Sequence, residues 1–156
     1  MGSDRAQSSL LAVQEHTFKG IDAGYLWRYS SDMPPWEVEV TDEFTAWWDG
    51  LTEAEQEAVT AHVGVLEEIG PALDFPRTSQ IKGSRHGRMR ELRIKCQGRQ
   101  LRVLYAFDPR RVAILLIGGD KTGNDRWYEE FVPMADNLYD AYIEQLILEG
   151  LIARET

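Results

Sequence analysis

Large apolar and acidic residues alternate over residues 36–40, with Trp36, Val38 and Val40 set against Glu37 and Glu39, the period-two signature of a strand with one buried face. From Thr41 the spacing lengthens. Phe44, Trp47, Trp48 and Leu51 recur at helical intervals behind Thr41 or Asp42 as the cap, and Gly50 breaks the run. Thr52, followed three residues later by Glu55, reads as a capping box that opens a second helix. Ala58, Val59, Ala61, His62, Val65, Leu66 and Ile69 form one face of it, and Gly70-Pro71 closes it. A linker containing Pro71 and Pro76 runs to Lys82-Gly83. Three strands are then predicted over residues 88–95, 100–107 and 112–117, with turns at Gln97-Gly98 and Asp108-Pro109 giving an antiparallel meander. Residues 111–117 are nearly continuous in apolar side chains, as a central strand covered on both faces requires, and Gly118-Gly119 is expected to end it. After a loop over residues 120–131, Pro133 serves as a first-turn proline for a helix carrying Ala135, Leu138, Tyr139, Tyr142, Ile143, Leu146 and Ile147 to about Leu148.

Residues 1–35 keep no period beyond a turn or two, and Met33 with Pro34-Pro35 marks their end. Two readings stand for this stretch: an extension with a short helix around residues 9–16, or residues ahead of an alternative start at Met33. The expected organisation is one α+β domain over residues 36–148, between an N-terminal extension, 1–35, and a short tail, 149–156. Its small, mostly antiparallel sheet packs with an N-terminal helical hairpin and a C-terminal helix.

At 156 residues the chain suits a single core. Its longest apolar run, Val112 to Ile117, is far short of the roughly 18 to 20 residues that cross a bilayer. No charged-then-apolar leader opens the sequence, and the lone Cys96 closes no intramolecular bridge. A cytoplasmic protein without membrane association is expected. The Trp47-Trp48 pair on an amphipathic helix reads as core and edge packing ahead of a base-stacking platform.

Charge changes the picture more than composition does. The net charge of -9 argues at first against a polyanion partner. Yet residues 77–111 hold eleven of the 17 basic side chains against only Glu91 and Asp108, a local excess of +9 that leaves -18 on the remainder. Such segregation is either the footprint of a nucleic-acid site on one face of an acidic protein or a set of solvated strand arginines.

Several short stretches, in order, carry a family resemblance: the run from Met33-Pro-Pro-Trp to Asp42-Glu-Phe44, Ile81-Lys-Gly83, Met89-Arg-Glu-Leu-Arg93, Leu101-Arg-Val-Leu-Tyr105, Gly118-Gly-Asp-Lys-Thr-Gly123, Trp127-Tyr128 and Pro133-Met-Ala-Asp136. Over residues 33–148 the chain resembles the HigB, phage-derived Gp49-like branch of the RelE/ParE toxin superfamily. The resemblance implies a RelE-like fold and a type II toxin-antitoxin toxin that cuts mRNA in the ribosomal A site without a metal or other cofactor. It also implies neutralisation by a cognate antitoxin, a helix-turn-helix protein of the HigA type. On the same scaffold a ParE-like gyrase inhibitor, or a catalytically inactive interaction protein, is the alternative.

Attack of a ribose 2′-OH on the adjacent phosphate needs cations around the developing charge and groups that accept and donate protons. Arg102 matches the family's strand arginine and is expected to stabilise phosphate; Lys121 matches the basic residue that follows the glycine ending the last strand. Trp127 falls where relatives carry a stacking or proton-handling tyrosine. An indole N–H is no useful general acid, so either Tyr128 takes that role or Trp127 only closes the core. Glu91 and Arg93 share one strand face, as proton acceptor and phosphate clamp or as a structural ion pair. Lys82, Arg85, His86, Arg88 and Arg90, with Trp127, are the expected RNA contacts. His16, His62 and His86 have no partners at metal-ligand spacing, and no metal site is expected.

Overall fold

The computed structural model describes residues 35–155. The helix reading for residues 9–16 and the Met33 boundary lie outside them. The described chain runs β1 (Val38–Val40), α1 (Asp42–Asp49), α2 (Glu53–Ile69), a 3-10 turn (Gly70–Ala72), β2 (Thr78–Gln80), β3 (Arg90–Cys96), β4 (Arg99–Phe107), β5 (Ala113–Asp120) and α3 (Trp127–Leu148). The strands form one sheet in the order β1-β5-β4-β3-β2. Every pairing is antiparallel except that of β1 with β5, where Val38 lies beside Ala113 and Val40 beside Leu115. This is the α+β architecture, and the RelE-like fold, that the sequence leads one to expect.

The alternation along each strand divides the core in two. Leu92, Ile94, Leu101, Val103 and Tyr105 point to α1 and α2, where they meet Phe44, Trp48, Val59 and Val63. Met89, Leu104, Ala106, Ile114 and Leu116 point to α3, where they meet Trp127, Val132, Ala135 and Tyr142. The charged β3 residues Glu91 and Arg93 fall on the α3 face by the same alternation. Trp48 is core and Trp47 packs against it, as their helical spacing indicates.

The local signals account for the helix starts. Thr41 Oγ1 accepts from Phe44 N at 3.0 Å. At α2 both halves of the capping box are formed, Glu55 N donating to Thr52 Oγ1 at 3.2 Å and Thr52 N to Glu55 Oε1 at 2.9 Å. Thr52→Ala removes the side-chain half and is expected to lower the stability of the domain by about 1 kcal/mol, read as an earlier urea midpoint at unchanged slope.

Three expectations are corrected. The linker before Lys82 contains a strand, β2, whose Thr78 Oγ1 is buried and bonds to Glu91 O and Tyr105 Oη, each at 2.7 Å. Three polar residues carry no alternation from which to read it. Gly118 and Gly119 lie within β5 and do not end it. A β-carbon on Gly118 would sit 2.2 Å from the Trp47 ring, and one on Gly119 2.6 Å from Trp127 Nε1, so the strand passes between two indoles that leave no room for side chains. Lastly, α3 starts at Trp127, and Pro133 sits inside it at an exposed position. There the ring costs one backbone hydrogen bond, at Glu129 O, on the solvent side.

Candidate functional site

The two-residue turn at Gln97-Gly98, with φ of 50° and 80°, is of the kind that closes tight hairpins, and it sets the β3–β4 register. That register puts Arg93 opposite Arg102 and Glu91 opposite Leu104. Arg102 in turn lies opposite Gly119 of β5. Because Gly119 has no side chain, the Trp127 ring can settle on the sheet there, which brings the first turn of α3 and its Tyr128 over the arginines.

Glu91 is the centre of the cluster. It is 2% exposed, and its Oε1 accepts from Ser79 Oγ at 2.9 Å, Arg93 Nη1 at 3.1 Å and Tyr128 Oη at 3.1 Å. Arg102 Nε lies 3.7 Å from the same oxygen. The Lys121 ammonium sits 5.4 Å from the centre of the Tyr128 ring, a cation over an aromatic face. A continuous line of cationic, phenolic and carboxylate groups thus runs from the end of β5 across the sheet to β3. Burial, and then the neighbouring Glu91 carboxylate, push the Tyr128 phenol above its ordinary value, while Arg102 pulls the other way. The phenol is therefore protonated at neutral pH and donates to Glu91.

Arg102 is 1% exposed, yet its guanidinium is poorly used inside the protein. Nη1 bonds to the neighbouring Leu101 O at 3.0 Å and Nη2 reaches Gln100 Oε1 at 3.4 Å, while Nε has no hydrogen-bond partner. Glu91 Oε2 is likewise without one. Buried donors and acceptors left open are costly in a folded protein and often mark sites that act on a ligand.

Beside this cluster β2 stops. Its last link to β3 is Arg93 N to Arg77 O at 2.8 Å. Beyond it lies a cavity of about 530 Å³ walled by Arg77, Arg93, Lys95, Arg102, His62 and Phe75. Among the described residues lining it none is acidic. Phe75, Arg77 and Ser79 are not singled out in the sequence, because β2 and the turn before it read as linker, and Lys95 of β3 enters there only as one of the basic residues of 77–111. An aromatic next to Pro76 and just ahead of Arg77 was the available signal.

The other expected RNA contacts do not join the cluster. Ser84 Oγ and Arg85 N bind the buried Asp136 carboxylate at 2.5 and 3.0 Å, and Arg85 and His86 both pair with Asp140. Asp140 is twelve residues past Tyr128 on α3, about 18 Å along the helix. These residues clip the 82–88 loop to α3, with the His86 ring 4.7 Å from that of Tyr139. Arg90 faces the opposite side of the sheet, where it reaches Leu73 O at 3.4 Å. Arg88 and Arg90 line a second recess with Arg111, Gln80 and Phe107. Lys82 is exposed. Trp127 is 1% exposed and stacks on Phe131 at 4.5 Å, so it closes the core and has no open face for a base. Among the described residues no group of three or more His, Cys, Asp or Glu side chains could hold a metal ion, and no helix is long and apolar enough to cross a membrane. Cys96 lies half-buried near the end of β3.

Comparison with known proteins adds an independent line. The family model described as phage derived protein Gp49-like matches residues 46–140. A Mycobacterium tuberculosis protein named "Putative toxin HigB2" is 42% identical over 116 residues, covering 73% of this chain and 57% of its own length. A second from the same organism, "Putative toxin HigB3", is 43% identical over 91 residues, covering 58% of this chain and 78% of its own length. The chain thus spans little more than half of the first relative and over three quarters of the second. No solved structure matches.

Proposed function

The chain belongs to the phage-derived Gp49-like family, and on that premise we propose that it is a HigB-type toxin of a type II toxin-antitoxin pair, an endoribonuclease that cuts mRNA on the ribosome. The catalytic unit is residues 36–148, acting in the cytoplasm, with residues 1–35 and 149–156 outside it. A cognate antitoxin of the HigA helix-turn-helix type silences it. The observation that carries this reading is the convergence of Arg93, Arg102 and Tyr128 on the Glu91 carboxylate, with Lys121 over the Tyr128 ring. Three positive charges drawn from three parts of the sheet stand beside a phenol and a carboxylate, which together suit a phosphodiester and its protons.

The donor direction suggests how protons move. Tyr128 Oη–H donates to Glu91, so the phenol oxygen is free to accept the proton of a ribose 2′-OH while its own proton passes to the carboxylate. The 2′-oxygen attacks phosphorus, the bond to the 5′-oxygen breaks, and a 2′,3′-cyclic phosphate forms. Arg93 and the open donors of Arg102 neutralise the charge that gathers on the equatorial oxygens. Lys121 gives a proton to the departing 5′-oxygen and regains one from water, and the proton held by Glu91 passes back through Tyr128 to the hydroxide so left, which restores all three groups. No metal or other cofactor takes part in this scheme.

Induction of the protein without its antitoxin is expected to arrest growth and to leave translated mRNA with 2′,3′-cyclic phosphate and 5′-hydroxyl ends, mapped by ligation-based sequencing. Arg93→Ala combined with Lys121→Ala, at two partly exposed positions, should abolish both effects in a folded protein. A double variant of undiminished toxicity would refute the site. Double-strand DNA breaks without mRNA cuts would instead identify a gyrase inhibitor.

A further inference from the structure

Phe75 is 68% exposed and is the one aromatic side chain among the large exposed apolar residues of the described chain, the others being Ile69, Met134, Leu148 and Leu151. An aromatic ring left in water needs a reason, since its burial is worth more than that of most side chains. The groups that face it on the cavity side are cationic. The Arg93 guanidinium lies 5.4 Å from the ring centre, and the adjoining cavity is walled by Arg77, Lys95 and Arg102 as well, without an acidic residue among the described ones lining it. Arg102 is buried with its Nε unpartnered. An exposed ring at the rim of a positively charged hollow is the pairing by which proteins hold single-stranded nucleic acid, stacking a base and neutralising its phosphate.

We propose that Phe75 and this cavity form a nucleotide subsite adjoining the cleaved phosphate, in which one unpaired base stacks on Phe75 and its backbone phosphate rests on Arg77 and Lys95. The inference rests on the nuclease reading for its position next to the cut, but the binding it describes is measurable without cleavage. Arg93 joins the two regions, since it touches Glu91 on one side and Phe75 on the other. The strand edge explains why the subsite is open. With β2 ending at the Arg77 link, residues Ile94 to Cys96 have no strand outside them among the described residues, and a chain of nucleotides can reach the cavity from that side.

The test uses a fluorescent, fully 2′-O-methylated RNA hexamer, which has no attacking hydroxyl, followed by anisotropy on the full chain. Phe75→Ala is expected to weaken binding by about tenfold or more, and Phe75→Trp to retain it. The loss should vanish with an abasic phosphodiester of the same length, which offers charge and no ring. Arg77→Ala plus Lys95→Ala should weaken both probes and flatten the dependence of affinity on salt. Circular dichroism melts of Phe75→Ala are expected to match the parent, because the side chain is mostly in water. Equal hexamer binding by the parent and Phe75→Ala would overturn the subsite, whatever the nuclease assay gives. So would a Phe75→Ala protein that loses antitoxin binding while keeping its affinity for RNA, which would make the ring a protein contact. Phe75-dependent hexamer binding in a parent that never cuts mRNA would uphold the base platform and overturn the nuclease reading alone.

Discussion

Tyr128→Phe is expected to slow RNA cleavage by about 100- to 10,000-fold, the range over which a positioned proton-transfer group contributes. The change deletes one oxygen and keeps the ring, so the contact with Trp127, at 5.2 Å between centroids, and the cation contact with Lys121 remain. Glu91 Oε1 retains Ser79 and Arg93 as partners. The stability cost is therefore that of one hydrogen bond, about 1 kcal/mol, or roughly 2–4 °C in a domain of this size. Rate and stability part company only if the phenol takes part in the reaction. Single-turnover cleavage of ribosome-bound mRNA measures the first and calorimetry the second. A variant as active as the parent would remove Tyr128 from the mechanism.

Gly119→Ala should damage both properties together. The added methyl would meet Trp127 Nε1 at 2.6 Å and Phe131 Cε2 at 3.1 Å, and Trp127 is locked in the core with no open side to move into. Overpacking of this kind costs about 1–3 kcal/mol, and the melting temperature is expected to fall by roughly 3–10 °C. Relief comes by lifting the start of α3 from the sheet, which carries Tyr128 away from Glu91, so cleavage per folded molecule should drop as well. Gly118→Ala provides the comparison. Its methyl strikes Trp47, on the other face of the sheet and only partly buried, so stability should fall while activity per folded molecule stays. Equal loss of activity in both variants would show that the sheet, and not the seating of α3, governs the site.

Much of this arrangement can be read from the chain because it follows from short-range rules. The capping box at Thr52, the alternation through Arg90–Cys96 and the tight turn at Gln97-Gly98 each act over a few residues. A two-residue turn leaves no choice but Arg93 opposite Arg102, and alternation then puts Glu91 on the same face. What escapes is decided by contacts far apart in sequence. Gly118-Gly119 looks like a strand end until two indoles, from α1 and α3, are known to press on it from opposite faces. Pro133 looks like a helix start because the turn ahead of it, Trp127 to Val132, is anchored by the ring of Trp127 and not by a capping side chain. Arg85 and His86 read as free cations because their carboxylates, Asp136 and Asp140, come from more than fifty residues away. Phe75 carries no periodic signal in the sequence since three-residue β2 has no pattern of its own, and the edge beside it is created only by the place where β2 stops.

The parallel pairing of Val38–Val40 with Ala113–Leu115 has a consequence for the making of the protein. Partners separated by some seventy-five residues cannot meet while the later one is still inside the exit tunnel, and long-range pairings of this sort form late in folding. Tyr128 and Lys121 are translated later still. A half-made chain on its ribosome thus has arginines but no finished sheet to aim them, and under the proposed function the particle that synthesises the protein is spared its action until the sheet closes.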